Sequence, residues 1–207
     1  MKKINFNQIV KSPYSNKAYI RNDFPGFKMD YLVLHSLIRK YNPKYFMEIG
    51  TGSGLGTKVI SKAMGIKRFW LNLGKKVYSL DVPPGADPKI LYPKGEDGHP
   101  QKAGCFCNYP YKQIFGNSYG FDFSSYYPID GWFVDGKHNY KYVKNDTKLA
   151  LNSNPILIVW HDMQIGGVSR AVKEVMKKNK KYNLFLVSGT RIAFAIKLRP
   201  KTVCHQK

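Results

Sequence analysis

Polar residues of distinct chemistry stand at the ends of successive apolar runs. Tyr45 to Ile49 leads into Gly50-Thr51-Gly52-Ser53-Gly54, with Glu48 just before the turn. Lys76 to Leu80 ends at Asp81, and Gln113 to Phe115 is followed by Asn117 and Ser118. Trp132 to Val134 meets Asp135, and Ile156 to Trp160 meets His161-Asp162. Glycines let the backbone turn tightly and let a ligand approach with no Cβ in the way. The amides at the start of a following helix favour a carboxylate or another negative group. An acidic side chain at the end of the next strand can accept hydrogen bonds from both hydroxyls of a ribose, and Asp81 has that position. Gly50 to Thr57 lacks a Gly-Lys-Ser/Thr ending, which excludes a Walker-type phosphate loop.

These side chains need elements to hold them. Phe27 to Tyr41 places Tyr31, Leu34, Leu37, Ile38 and Tyr41 at helical spacing, and Asn42-Pro43 ends the helix. Helices are also expected over 55–64, Tyr140 to Leu151 and Val168 to Lys178. Tyr182 to Val187 and Ile192 to Ile196 read as a last pair of strands, antiparallel across Ser188-Gly189. Strands that alternate with helices imply an α/β fold whose mostly parallel sheet is covered on both faces. Ligands of such sheets bind at the carboxyl ends of the strands, where the polar residues above collect. The chain reads as one domain over 1–207, with an extension and helix over 1–43. Residues 82–112, rich in proline, read as an inserted loop placed to act as a lid. Tyr92, Phe106, Tyr109 and Tyr111 of that loop, with Tyr14, Tyr19 and Phe24, are candidates to frame an acceptor.

Composition sets outer bounds. The chain has 207 residues, 34 Lys and Arg against 13 Asp and Glu, and a net charge of +21. Such a surface attracts polyanions, so a nucleic-acid partner is one reading. The charge is spread along the chain, however, and only six of the basic residues are Arg, the side chain that binds phosphates and bases bidentately. No run nears the ~18 apolar residues of a membrane span. No secretory signal is visible and there are three cysteines, so the expectation is a reduced, cytoplasmic protein that uses no membrane. Cys105, Cys107, His99 and Cys204-His205 fit no standard zinc spacing. Oligomeric state is not legible.

The ordered set of motifs resembles the class I S-adenosylmethionine-dependent methyltransferases over roughly residues 44–197. Glu48 to Gly54 followed by Asp81 is similar to the family's acidic-x-Gly-x-Gly-x-Gly turn and its strand-end acid. Phe115-Gly116-Asn117-Ser118 resembles a Gly-Asp-Ser turn, with Asn117 in place of Asp. Phe133 to Tyr140 resembles an Asp-Gly-Asp-His-x-Tyr segment, with Lys137 in place of an acid. Ile158-Val159-Trp160-His161-Asp162 resembles a Val-x-His-Asp strand end. These details look like the subgroup of cephalosporin hydroxylase-like and catechol O-methyltransferase-like enzymes. The resemblance implies a Rossmann-like, doubly wound, mostly parallel seven-stranded sheet with helices on both faces and an antiparallel last strand.

It also implies a site. S-Adenosylmethionine would be held by Glu48, Gly50, Thr51, Gly52, Ser53, Gly54, Asp81, Asn117, Ser118 and Asp135. Glu48 would support the turn or meet the methionine amino group, and Asn117 would offer its carbonyl to the adenine amine. Asp135, His161 and Asp162 resemble a divalent-metal set for an ion such as Mg²⁺ or Mn²⁺ that would lower the pKa of an acceptor hydroxyl. A second route uses His138 as general base, three residues after Asp135 and beside Lys137. The expected function is O-methylation of a small or glycosylated molecule. Two alternatives stay open: methylation of RNA or another polyanion, and a binding protein of methyltransferase fold without chemistry.

Overall fold

The computed structural model describes residues 1–10, 28–66, 74–83 and 102–198. Tyr14, Tyr19, Phe24, Tyr92, His99 and Cys204-His205 lie outside them. The elements run β1 (Lys2–Asn5), α1 (Phe6–Ile9), α2 (Lys28–Tyr41), β2 (Tyr45–Ile49), α3 (Leu55–Ala63), β3 (Lys76–Asp81) and β4 (Lys112–Phe115). After a 3-10 turn at Ser124–Tyr126 come β5 (Gly131–Val134), α4 (Tyr140–Asn152), β6 (Leu157–Trp160), α5 (Gly166–Lys177), β7 (Tyr182–Ser188) and β8 (Ala193–Lys197).

The strands form one sheet in the order β1-β7-β8-β6-β5-β2-β3-β4. All described pairings are parallel except those of β8, which runs antiparallel to both β6 and β7. Seven strands are therefore one too few. The added strand is β1, which pairs in parallel with the outer edge of β7. Its sequence Lys-Lys-Ile-Asn is mostly exposed and carries no alternation, so only the open edge of β7 identifies it.

Alternation along the strands assigns the faces. Trp132 and Val134 of β5 pack in one core with Val143 of α4 and Val168 and Val172 of α5. Phe133, between them in sequence, joins the other core with Leu34, Ile38 and Ile60 of α2 and α3. Helices thus cover both faces, as a doubly wound sheet requires. The two buried tryptophans satisfy their ring N–H groups on the α4 side. Trp132 donates to Ser153 Oγ at 2.8 Å and Trp160 to Thr147 Oγ1 at 3.0 Å. Asn42, at φ +50°, closes α2 as its sequence predicts.

Strand order reverses between β2 and β5. From β2 the chain moves outward through β3 to β4, then returns to β5 and moves the other way. A crevice opens at the carboxyl ends of such a pair. Gly50 and Asp135, the first residues past β2 and β5, stand at its mouth.

Candidate active site

The glycine turn is built by exclusion of side chains. Gly50, Gly52 and Gly54 have φ of +96°, +48° and +87°. A Cβ on Gly50 would lie 2.2 Å from the carbonyl oxygen of Asp135, and one on Gly54 would lie 2.6 Å from Cα of Gly104. A Cβ on Gly52 would meet nothing within 4 Å, so this glycine faces open space. Ladder bonds continue past the strands: Gly50 N–H donates to Leu80 O at 2.8 Å and Asp135 N–H to Ile49 O at 2.9 Å. Asp81 reaches across, accepting from Gly52 N–H at 2.8 Å and from Val82 N–H at 2.8 Å.

A buried polar network supports the turn from below. Alternation turns Glu48 toward α3, where Thr57 donates to its Oε2 at 2.5 Å and Ser79 donates at 2.6 Å. Thr51 Oγ1 lies 2.6 Å from Ser79 Oγ and accepts from Gln113 Nε2 at 3.0 Å. Glu48 and Thr51 are buried, and their side chains hold the turn's underside. Burial pushes the Glu48 carboxyl up to about 8, against the hydroxyl bonds of Ser79 and Thr57. Gln113, Ser79 and Thr57 are site residues that sequence reasoning missed, since nothing local marks them.

The segment just before β4 lies along the same turn. Gly104 N–H donates to Gly52 O at 3.0 Å and Phe106 N–H to Ser53 O at 2.8 Å. Cys105 and Cys107 are free thiols, each 3.6 Å from a carbonyl oxygen, of Ser53 and Tyr109 respectively. Beside β4, Asn117 Oδ1 accepts from Tyr119 N–H at 3.0 Å and Ser118 O accepts from Asn145 Nδ2 at 3.0 Å. Asn117 thus orders its own turn through the oxygen expected to meet adenine, and that oxygen retains a second lone pair. Asp146, fully buried behind Ser118, has its carboxyl pushed up to about 6 by burial. Lys137 sits 5.1 Å from the centroid of the Tyr142 ring, on the Asn117 side.

Asp135 joins this half of the crevice to a cluster of acids and imidazoles. His161, buried at 3% exposure, places Nδ1 3.1 Å from Asp135 Oδ1 and 3.3 Å from Asp162 Oδ2. His138 Nε2 lies 3.4 Å from the same Asp135 oxygen and 3.2 Å from the same Asp162 oxygen. On its far side His161 Nε2 meets Asp30 Oδ2 at 3.1 Å. Burial works against a charged His161, but hydrogen bonds to Asp135, Asp162 and Asp30 outweigh it and hold the imidazole up at about 11. Asp135 likewise raises His138. Asp162 adopts φ +53°, a left-handed conformation that an Asp accepts only where the surroundings impose it.

The three residues expected to hold a metal lie close together: ligand atoms of Asp135, His161 and Asp162 are within 4.8 Å of one another. One imidazole nitrogen and two carboxylate oxygens fit a divalent cation as a donor set. A proton on Nδ1 and a cation compete for the same place between the carboxylates. Asp30 and Arg191, which close the back of the cluster, were not among the expected residues. Asp30 did carry a signal: it stands three, four and seven residues before Val33, Leu34 and Leu37, an acid within the apolar stripe of α2.

No protein-family model and no curated protein matches the sequence. Solved structures do match in shape. A TDP-rhamnose 3′-O-methyltransferase of calicheamicin biosynthesis superposes with a TM-score of 0.59 at 15% identity, over 94% of this chain and 92% of its own. An SAH-bound Podospora anserina methyltransferase gives 0.57 at 12% identity, over 83% and 79%. An O-methyltransferase from Bacillus cereus in complex with SAH gives 0.55 at 13%, over 93% and 90%. The chain has the fold of the class I methyltransferases.

Gly52→Ala costs about 1–2 kcal/mol, the penalty of a left-handed alanine, whereas Gly50→Ala costs more because backbone of Asp135 must also move. Urea unfolding of the two variants checks the order. Glu48 binds its proton more tightly folded than unfolded, so its contribution is fully present below about pH 4.5 and is lost as pH rises through about 8. The stability of Glu48→Gln relative to the parent is therefore expected to rise between pH 5 and 8. A difference that stays flat or falls contradicts the buried, raised carboxyl.

Proposed function

We propose that the protein is an S-adenosylmethionine-dependent methyltransferase that methylates a hydroxyl of a small, sugar-bearing molecule. The observation that carries this reading is the junction at Asp135. Its carbonyl packs on Gly50 of the cofactor-type turn, while its carboxylate holds both imidazoles of the acid cluster. Cofactor and acceptor chemistry thus share one strand end. The open side of Gly52 and the Asp81 carboxylate beside it fit a nucleoside with a ribose diol.

When bound, S-adenosylmethionine supplies an electrophilic methyl group on a sulfonium. The chain's own work is to align an acceptor oxygen with it and to remove the hydroxyl proton. Asp81 would hold the ribose, and Asn117 and Ser118 would flank the base. Gly52 and Ser53 would face the methionine end, whereas both backbone groups of Gly54 are bonded within the turn and α3. Asp135, His161 and Asp162 would hold a divalent cation, which supplies a Lewis acid for the acceptor hydroxyl. His138, with 42% of its side chain exposed, is the imidazole of the cluster able to exchange a proton with a bound acceptor.

Sugar-linked acceptors come first because the calicheamicin neighbour is described as acting on TDP-rhamnose, and a surface of net charge +21 suits a diphosphate. An RNA acceptor rests on charge alone. Several described lysines stand over tyrosine rings instead, as Lys141 does over Tyr119 at 4.5 Å. Among the described residues no helix is long and apolar enough to cross a membrane.

The test is methyl transfer from labelled S-adenosylmethionine to a panel of nucleoside-diphosphate sugars, with Mg²⁺, Mn²⁺ or EDTA. His138→Ala is expected to lower kcat by about 10²–10⁴-fold with cofactor affinity retained. An unchanged rate removes His138 from the proton transfer. A wild-type rate that EDTA leaves intact removes the cation.

A further inference from the structure

α2 carries Asp30 in its first turn, on the face that buries Leu34 and Leu37 against the sheet. A carboxylate at 3% exposure is costly unless it is fully bonded. Asp30 is bonded on both oxygens. Oδ1 accepts the Arg191 backbone N–H at 2.9 Å, and Oδ2 accepts Arg191 Nε at 2.7 Å. A second guanidinium nitrogen lies 2.7 Å from Oδ2, and His161 Nε2 lies 3.1 Å from it. The Arg191 fork and backbone leave Asp30 little freedom to turn, so its Oδ2 is a fixed acceptor behind His161.

A histidine has two ring nitrogens, and a hydrogen bond on one decides what the other offers. We propose that Asp30 is a positioning residue for the cation site: it holds the Nε2 proton of His161 and so leaves Nδ1 as the donor atom facing Asp135 and Asp162. The proposal rests on the cation reading of that cluster. It adds a residue of α2, which precedes β2 and the stretch that carries the sequence motifs. It also gives Arg191, in the β7–β8 turn, a place: its guanidinium fixes Asp30 and reaches to 3.8 Å from Asp162 Oδ1. A carboxylate behind a metal-bound imidazole fixes its tautomer and raises its basicity, and losing such a partner typically weakens metal binding 10–100-fold.

The experiment uses the full chain and Mn²⁺ alone as probe, read by electron paramagnetic resonance. Wild type, Asp30→Asn and His161→Ala are compared, with S-adenosylmethionine affinity measured in parallel by calorimetry. Asp30→Asn keeps the shape of the side chain and removes its charge. The expected result is Mn²⁺ binding weakened about 10–100-fold in Asp30→Asn, with cofactor affinity within about twofold of wild type. Equal Mn²⁺ binding by wild type and Asp30→Asn overturns the role of Asp30 while the cation reading stands. Wild type that binds no Mn²⁺, or binds it equally with His161→Ala, overturns both. Should Asp30→Asn not fold, ¹⁵N shifts of His161 in wild type decide: on Mg²⁺ addition Nδ1 is expected to shift while Nε2 keeps its proton. Loss of the Nε2 proton instead overturns the assignment.

Discussion

There is no room for a side chain at residue 50. The carbonyl of Asp135 occupies the volume that a Cβ would take, 2.2 Å from its ideal position. This contact brings the ends of β2 and β5 together at the point where strand order reverses. A sheet that reverses its winding must leave a crevice there. Glycine at position 50 lets the Asp135 backbone close on the turn, so a ligand on the glycine turn and a group on the Asp135 carboxylate can be neighbours. Gly54 against Gly104 repeats the device on the other flank and seats the segment before β4 on the turn.

The electrostatics follow a similar economy. The chain has only 13 acidic residues against 34 basic ones. Asp30, Asp135 and Asp162 are gathered around one imidazole, and Glu48 lies beneath the adjoining turn. Distant surface charges are screened within about 10 Å at ordinary salt, whereas buried neighbours are not. The net charge therefore shapes approach to the site, while the local field at His161 is set by three carboxylates and Arg191. Backbone strain at Asp162 and the bonds of Asp30 belong to the same arrangement. One helix, two strand ends and a hairpin turn meet there, and none makes the cluster alone.

Much of this was legible in the sequence because it is written in local periodicity. The apolar runs of β2, β3, β5 and β6, and the polar residues just past them, could be read directly. The four expected helices agree to within a few residues, whereas the single turn of α1 is not among them. β1 was missed because an exposed four-residue edge strand has no pattern of its own. Asp30 was missed although it stands on an apolar face, because helical spacing shows that an acid is buried but not what it meets. Arg191 lies far away in sequence, and only the antiparallel placement of β8 beside β6 brings it to the end of β6. The sequence allows Glu48 two roles; alternation toward α3 and two hydroxyl bonds put its side chain under the turn.

Every role assigned to these residues depends on S-adenosylmethionine binding through the glycine turn and Asp81. Isothermal titration of the cofactor into the wild type and into Asp81→Ala tests it most directly. Saturable one-to-one binding by the wild type is expected, weakened about tenfold or more when the ribose acceptor is lost, as for a truncated bond to a charged group. Absence of binding by the wild type, or equal affinity in Asp81→Ala, contradicts it.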